Sequence, residues 1–117
     1  NSEEGGEEAA RQLLDLQPDI TALICFSDRL AYGAMAECKR LGLDIPRRMS
    51  VTGFDDILPQ NRNSTLPALT TVRQDAYEKG RKAAEALLQK DSEHSRRINI
   101  EAKIIIRDST STIGKGY

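Results

Sequence analysis

Residues 50–56 read Ser50-Val51-Thr52-Gly53-Phe54-Asp55-Asp56, and residues 66–74 read Leu66-Pro67-Ala68-Leu69-Thr70-Thr71-Val72-Arg73-Gln74. The first is an apolar run that stops at two adjacent carboxylates. Open α/β sheets offer groups to small ligands at that place, the carboxyl end of a strand. The second is a short β-branched run that leads straight into a helical pattern. Carboxylates at a strand end point to recognition of a small molecule.

Working outward, residues 21–26 (Thr-Ala-Leu-Ile-Cys-Phe) form a near-continuous apolar run that suits a parallel strand covered on both faces. Ser27 or Asp28 caps the helix that follows, in which Leu30, Ala31, Ala34, Met35, Cys38 and Leu41 make one apolar stripe. Gly42 ends it as a left-handed residue, with Pro46 soon after. Residues 50–54 are the next buried strand, so strand, helix and strand make a βαβ unit with a right-handed crossover. Upstream, residues 7–16 read as a helix with Ala9, Ala10, Leu13 and Leu14 on one face. Downstream, residues 57–67 read as loop, 69–72 as a short strand, 74–89 as a helix and 98–107 as the last strand. The small polar tail after Asp108 is expected to fray. The fold class is α/β, a parallel open sheet with flanking helices.

The 117 residues balance 17 Lys and Arg against 18 Asp and Glu, for a formal charge of −1. No basic stripe is present to neutralise phosphates, which argues against nucleic-acid binding by this piece itself. No apolar run approaches the roughly 20 residues that span a bilayer, and no secretory signal opens the chain. Cys25 and Cys38 lie in apolar segments without CxxC spacing and read as reduced core thiols of a cytosolic protein. His94, the single histidine, sits in a polar run and reads as a solvated loop residue. No metal site, cofactor loop or catalytic triad has its partners in the sequence.

In a parallel sheet both β-to-α turns emerge on one edge, so Ser27, Asp28, Asp55 and Asp56 converge there. A carboxylate accepts two or more hydrogen bonds and suits the vicinal hydroxyls of a sugar or the N–H groups of a base. Asp55 directly follows the strand and is the foremost ligand contact. Ser27 is either a strand-end residue or a contact. Asp28 precedes a helix, where capping is the usual role, and stands beside the ligand edge as well. Asp56 reads as a cap of the turn. Neighbouring Asp residues on an extended chain point apart, which argues against a shared-proton pair. Tyr32 lies beside the apolar stripe and is expected to point away from the sheet. Its neighbours Gly33 and Ala36 are small enough to let another helix come close.

These residues closely resemble the C-terminal part of LacI/GalR-family transcriptional regulators, from about residue 6 to residue 110. The resemblance rests on Thr21-Ala22, on Ser27-Asp28-Arg29-Leu30-Ala31-Tyr32-Gly33-Ala34 and on Leu41-Gly42-Leu43-Asp44-Ile45-Pro46. It continues through Ser50 to Ile57 and through Leu69-Thr70-Thr71-Val72-Arg73-Gln74. It implies a cytoplasmic homodimer with an N-terminal helix-turn-helix, a hinge and a two-subdomain, periplasmic-binding-protein-like core that holds a small-molecule effector. Operator DNA would be met only through that helix-turn-helix, which this stretch lacks. Residues 1–72 and 98–109 would belong to the C-terminal subdomain, and 73–91 to a crossover helix of the N-terminal one. Asp55 falls on the family's effector-binding aspartate, Ser27 where Asn is usual, and Gln74 at a crossover position that lines the cleft. Asn1 falls near a further effector position, and the family's effector-binding arginine lies upstream. The dimer interface would include Tyr32 and the loop from Ile57 to Asn61. Two rivals remain: the solute-binding protein of a sugar transporter, which shares the fold, and an enzyme fragment using Asp55 and Asp56. The second lacks a nucleophile, base or cofactor loop.

Overall fold

The computed structural model describes residues 1–59, 65–89 and 97–113. In chain order the elements are α1 (Glu3–Leu16), β1 (Ala22–Ile24), α2 (Asp28–Arg40), β2 (Ser50–Thr52), β3 (Thr71–Gln74), α3 (Ala76–Leu88) and β4 (Ala102–Ile105). Helix α1 starts four residues earlier than its apolar pattern suggests. Ser2 caps it by accepting a hydrogen bond from the Gly5 N–H at 3.0 Å. The two glycines that disguise this start are there for packing. A Cβ on Gly6 would lie 2.1 Å from the Leu30 carbonyl oxygen, and one on Gly33 would lie 1.8 Å from that of Glu3. The backbones of α1 and α2 therefore touch. The helix that Gly33 admits is α1 of the same chain.

Strands β1 and β2 pair in parallel, Ala22 opposite Ser50 and Ile24 opposite Thr52. The sheet extends through a parallel bridge between Thr52 and Thr70. Leu23, Val51 and Leu69 pack there with Met35, Cys38 and Met49 in the core. β1 is covered on one face only: Leu23 is buried, while Ile24 and Phe26 are 90 % and 87 % exposed. The expectation of a strand covered on both faces is not met among the described residues. Gly42 ends the α2 segment at φ +73°.

Beyond Thr70 the chain leaves the sheet. β3 pairs with β4 antiparallel, from Thr71 opposite Ile105 to Gln74 opposite Ala102. This is the departure from an all-parallel arrangement, and a chain that runs out to α3 and returns must make such a ribbon. Asp75 caps α3 by accepting from the Glu78 N–H at 2.9 Å, and no residue of α3 is buried. The described part of the tail does not fray as expected. Ser109 is fully buried, donates to the Val51 carbonyl at 2.6 Å and accepts from the Thr70 N–H at 2.8 Å. Ser111 reaches the Pro46 carbonyl at 3.2 Å. His94 and Asn61 lie outside the described residues.

Candidate functional site

The two turns predicted to share an edge do meet. The Asp28 N–H donates to the Phe54 carbonyl at 2.9 Å, which joins the end of β1 to the end of β2. Ser27 is the cap of α2: its hydroxyl accepts from the Leu30 N–H at 3.3 Å and donates to Asn1 Oδ1 at 2.5 Å. Asp28 does not cap the helix, a correction to the usual role of an acid in that place. It is 0 % exposed. Its Oδ1 accepts from the Thr71 hydroxyl at 2.5 Å and its Oδ2 from the Ile57 N–H at 2.7 Å. Both oxygens are thus used to tie α2 to β3 and to the loop after Asp56. Gly53 leaves the room for this carboxylate, since a Cβ there would lie 2.2 Å from its Oδ1.

Asp55 and Asp56 occupy a turn with φ of +113° and +59°. Such conformations cost a non-glycine residue on the order of 1–3 kcal/mol and persist where the surroundings over-determine them. The constraints are visible. The Asp55 N–H donates to the Val72 carbonyl at 2.9 Å, and Asp55 Oδ1 accepts from the Gln74 amide nitrogen at 2.8 Å. Asp56 turns the other way, to Arg73 at 2.6 Å and Arg107 at 2.7 Å. The adjacent carboxylates do point apart. Successive residues of β3 face opposite sides, so Gln74 takes Asp55 and Arg73 takes Asp56. Burial works to raise the Asp56 carboxyl, but the hydrogen bonds and charges of Arg73 and Arg107 outweigh it and hold it below its ordinary value. Asp56 is therefore an ion-pair centre, not a cap.

Thr71, Arg73 and Arg107 are the site residues that sequence reading passed over. Thr71 and Arg73 lie in the quoted run, where strand alternation could have placed Thr71, Arg73 and the Asp56 charge on one side. Nothing in the sequence marks Arg107 as their partner. Tyr32 is also corrected. It is buried, and its hydroxyl donates to the Ile57 carbonyl at 2.9 Å because the loop after Asp56 folds back over it. The surface there is carried by Ile57 and Leu58, both exposed. A cavity of about 260 Å³ under this loop is lined by Tyr32, Asp56, Ile57, Leu66, Leu69 and Arg107, and does not include Ser27, Asp55 or Gln74.

The described residues hold no group of three or more His, Cys, Asp or Glu placed for a metal. Both cysteines are free, and burial first, then Cys38 and Asp28, pushes the Cys25 thiol up to about 11, away from nucleophile chemistry. No described helix is long and apolar enough to cross a membrane.

A parallel βαβ edge carrying Ser27 and Asp55, with an out-and-back ribbon beside it, agrees with a family match over residues 1–110 to the periplasmic binding protein-like domain. The chain belongs to that family. It is 42 % identical over 114 residues to the HTH-type transcriptional repressor CytR of Escherichia coli K12, covering 94 % of this chain and 33 % of the relative. The lac repressor dimer bound to operator and the anti-inducer ONPF superposes with a TM-score of 0.82 at 26 % identity, over 95 % of this chain and 39 % of that one. A LacI-family regulator from Enterococcus faecium with bound ribose gives 0.77 at 28 %, over 96 % and 41 %. The LacI-family resemblance seen in the motifs thus holds across nearly all of the chain. The chain spans about a third of the length of the curated relatives it matches. Those relatives are transcriptional repressors, not enzymes.

Proposed function

We propose that this chain is the effector-sensing part of a cytoplasmic LacI-type transcriptional regulator that responds to a sugar or related metabolite. The observation that carries the reading is Asp55, a half-buried carboxylate held at the carboxyl edge of the sheet, one oxygen of which is engaged among the described residues, by Gln74. The second oxygen remains for a ligand hydroxyl or N–H. Ser27 and Gln74 accompany it on the same edge, and Asp28 supports them from beneath. Ribose bound to one structural relative supports a polyhydroxylated ligand, and operator DNA bound to another supports DNA binding through a separate domain. In this reading residues 1–72 and 98–109 form the C-terminal subdomain, and the β3–β4 ribbon is the passage to a second subdomain that closes over the effector.

Calorimetry on the full-length protein, with a panel of pentoses, hexoses and nucleosides that includes D-ribose, tests the site. Asp55→Ala is expected to weaken the ligand found by about 2–4 kcal/mol, the order of a lost charge-assisted hydrogen bond. Unchanged affinity in a folded variant would remove Asp55 from the site.

Homodimerisation belongs to the same reading, with Ile57, Asn61 and the exposed loop over Tyr32 as the contact. An aspartate at position 57 would place an unpaired charge in that interface. The variant Ile57→Asp is therefore expected to sediment as a monomer at low micromolar concentration. A variant that stays dimeric places the interface elsewhere.

A further inference from the structure

Asp56 does not have the features of a ligand group. Its side chain is 11 % exposed and both oxygens are taken, Oδ2 by Arg73 Nε at 2.6 Å and Oδ1 by Arg107 Nη2 at 2.7 Å. Arg73 lies on β3, and Arg107 follows the end of β4 by two residues. One carboxylate therefore ties both strands of the ribbon to the turn that carries Asp55. Fixing Arg73 on one face of β3 fixes Gln74 on the other, because the side chains alternate. Gln74 is held in turn at both ends of its amide: its nitrogen donates to Asp55 at 2.8 Å, and its oxygen accepts from Lys79 of α3. The chain Asp56, Arg73, Gln74, Asp55 is continuous.

We infer that Asp56 is the positioning residue of the effector site. Through Arg73 and Arg107 it sets the placement of the ribbon against the Asp55–Asp56 turn, and so the direction in which Asp55 offers its second oxygen. A ligand that binds Asp55 meets a carboxylate already aimed, and any motion of the ribbon is felt at that carboxylate through Gln74. The inference rests on the reading that Asp55 contacts the effector.

The test uses the full-length protein with ¹⁵N-labelled glutamine and follows hydrogen exchange of the Gln74 side-chain amide by NMR. Asn tolerates the left-handed φ of position 56 as Asp does, so Asp56→Asn removes the charge while leaving the turn's backbone preference alone. The expected result is Gln74 amide exchange faster by about tenfold or more, the mark of a bond that opens locally. Arg73→Met is expected to do the same. Glu37→Gln, which breaks a different buried carboxylate between two arginines, is expected to leave the Gln74 amide unmoved. If Asp56→Asn lowers stability yet the Gln74 amide exchanges as in the wild type, Asp56 is only a structural ion pair and the inference is overturned. Equal acceleration by Glu37→Gln overturns it too. If Asp56→Asn does not fold, Arg73→Met decides on the same signal. Failure of the effector reading is separate: it shows as unchanged ligand affinity in Asp55→Ala, whatever Gln74 does.

Discussion

Glu37 shows how far a single residue departs from what its letter suggests. On the outer part of a helix a glutamate is ordinarily solvated, yet this one is 2 % exposed. Arg40 donates to it at 2.6 and 2.8 Å, and Arg11 of α1 at 3.0 and 3.4 Å. Hydrogen bonds from Arg40, then Arg11, pull its carboxyl from an ordinary 4.5 to about 2. A folded-state value below the unfolded one means stability that is whole above about pH 4.5 and drains as the pH falls toward 2. Asp56 shifts in the same direction. Denaturation midpoints measured between pH 6 and pH 2 should therefore fall less steeply for Glu37→Gln than for the wild type, although that variant starts lower. Parallel curves would show that the cluster contributes nothing to acid sensitivity. The same limit on reading single letters applies to Ser27 and Asp28. Both are good caps, and adjacent positions cannot be ranked without knowing that Thr71, 43 residues on, stands ready for one of them. The place of Asp55 at the end of β2 was legible because a strand followed by a carboxylate is a local pattern. Arg107 was not, because its meaning depends on a partner elsewhere in the chain.

Elements were legible in kind and order, and their ends were not. Helix α1 was read four residues short because glycine is a poor helix former, by roughly 1 kcal/mol against alanine. That propensity is outweighed here by what glycine permits, the contact of two helix backbones at Gly6 and Gly33. Two glycines should therefore behave oppositely. Gly33→Ala drives a methyl group into the Glu3 carbonyl and should destabilise the chain by about 1–3 kcal/mol, the usual cost of overpacking, even after its gain in propensity. Gly80→Ala in α3 has nothing within 4 Å and should shift that helix's own helix–coil balance by about 0.5–1 kcal/mol toward helix, seen in the 117-residue chain as added helical signal with the unfolding midpoint little changed. Urea denaturation and circular dichroism measure the two. A Gly33→Ala variant as stable as the wild type or more so would mean that α1 and α2 can separate freely. β1 and β2 were read two or three residues too long for a related reason. Apolar letters mark where a strand wants burial, whereas pairing stops where the chain turns, at Ser27 and at the left-handed Asp55.

At the scale of the molecule, the radius of gyration is 17.9 Å, against about 13 Å for a compact domain of this length. The excess agrees with a ribbon and a helix that stand away from the α1–α2 layer. Apolar runs in a sequence state that a surface is to be buried without stating by what, so the open faces of β1 and α3 could not be read from the letters. Tyr77, Leu87 and Leu88 of α3 are each more than four-fifths exposed, and covering a large apolar side chain is worth about 1.5–3 kcal/mol. A 13-residue helix with no buried residue has little else to hold it, since isolated helices of that length are marginal in water. If the ribbon is the passage to a second subdomain, as the effector reading requires, that subdomain is what covers α3. Backbone amides of α3 should then exchange close to unfolded rates in the 117-residue chain. In the full-length protein they should slow by about a hundredfold or more, the equivalent of burying even one or two of these side chains. The α2 amides, whose cover is already present as α1 and the sheet, should change far less. Hydrogen exchange with mass spectrometry on both proteins separates the outcomes. Equal protection of α3 in the two would mean that nothing outside this stretch packs on it, and the ribbon would lose its role as a bridge to a closing lobe.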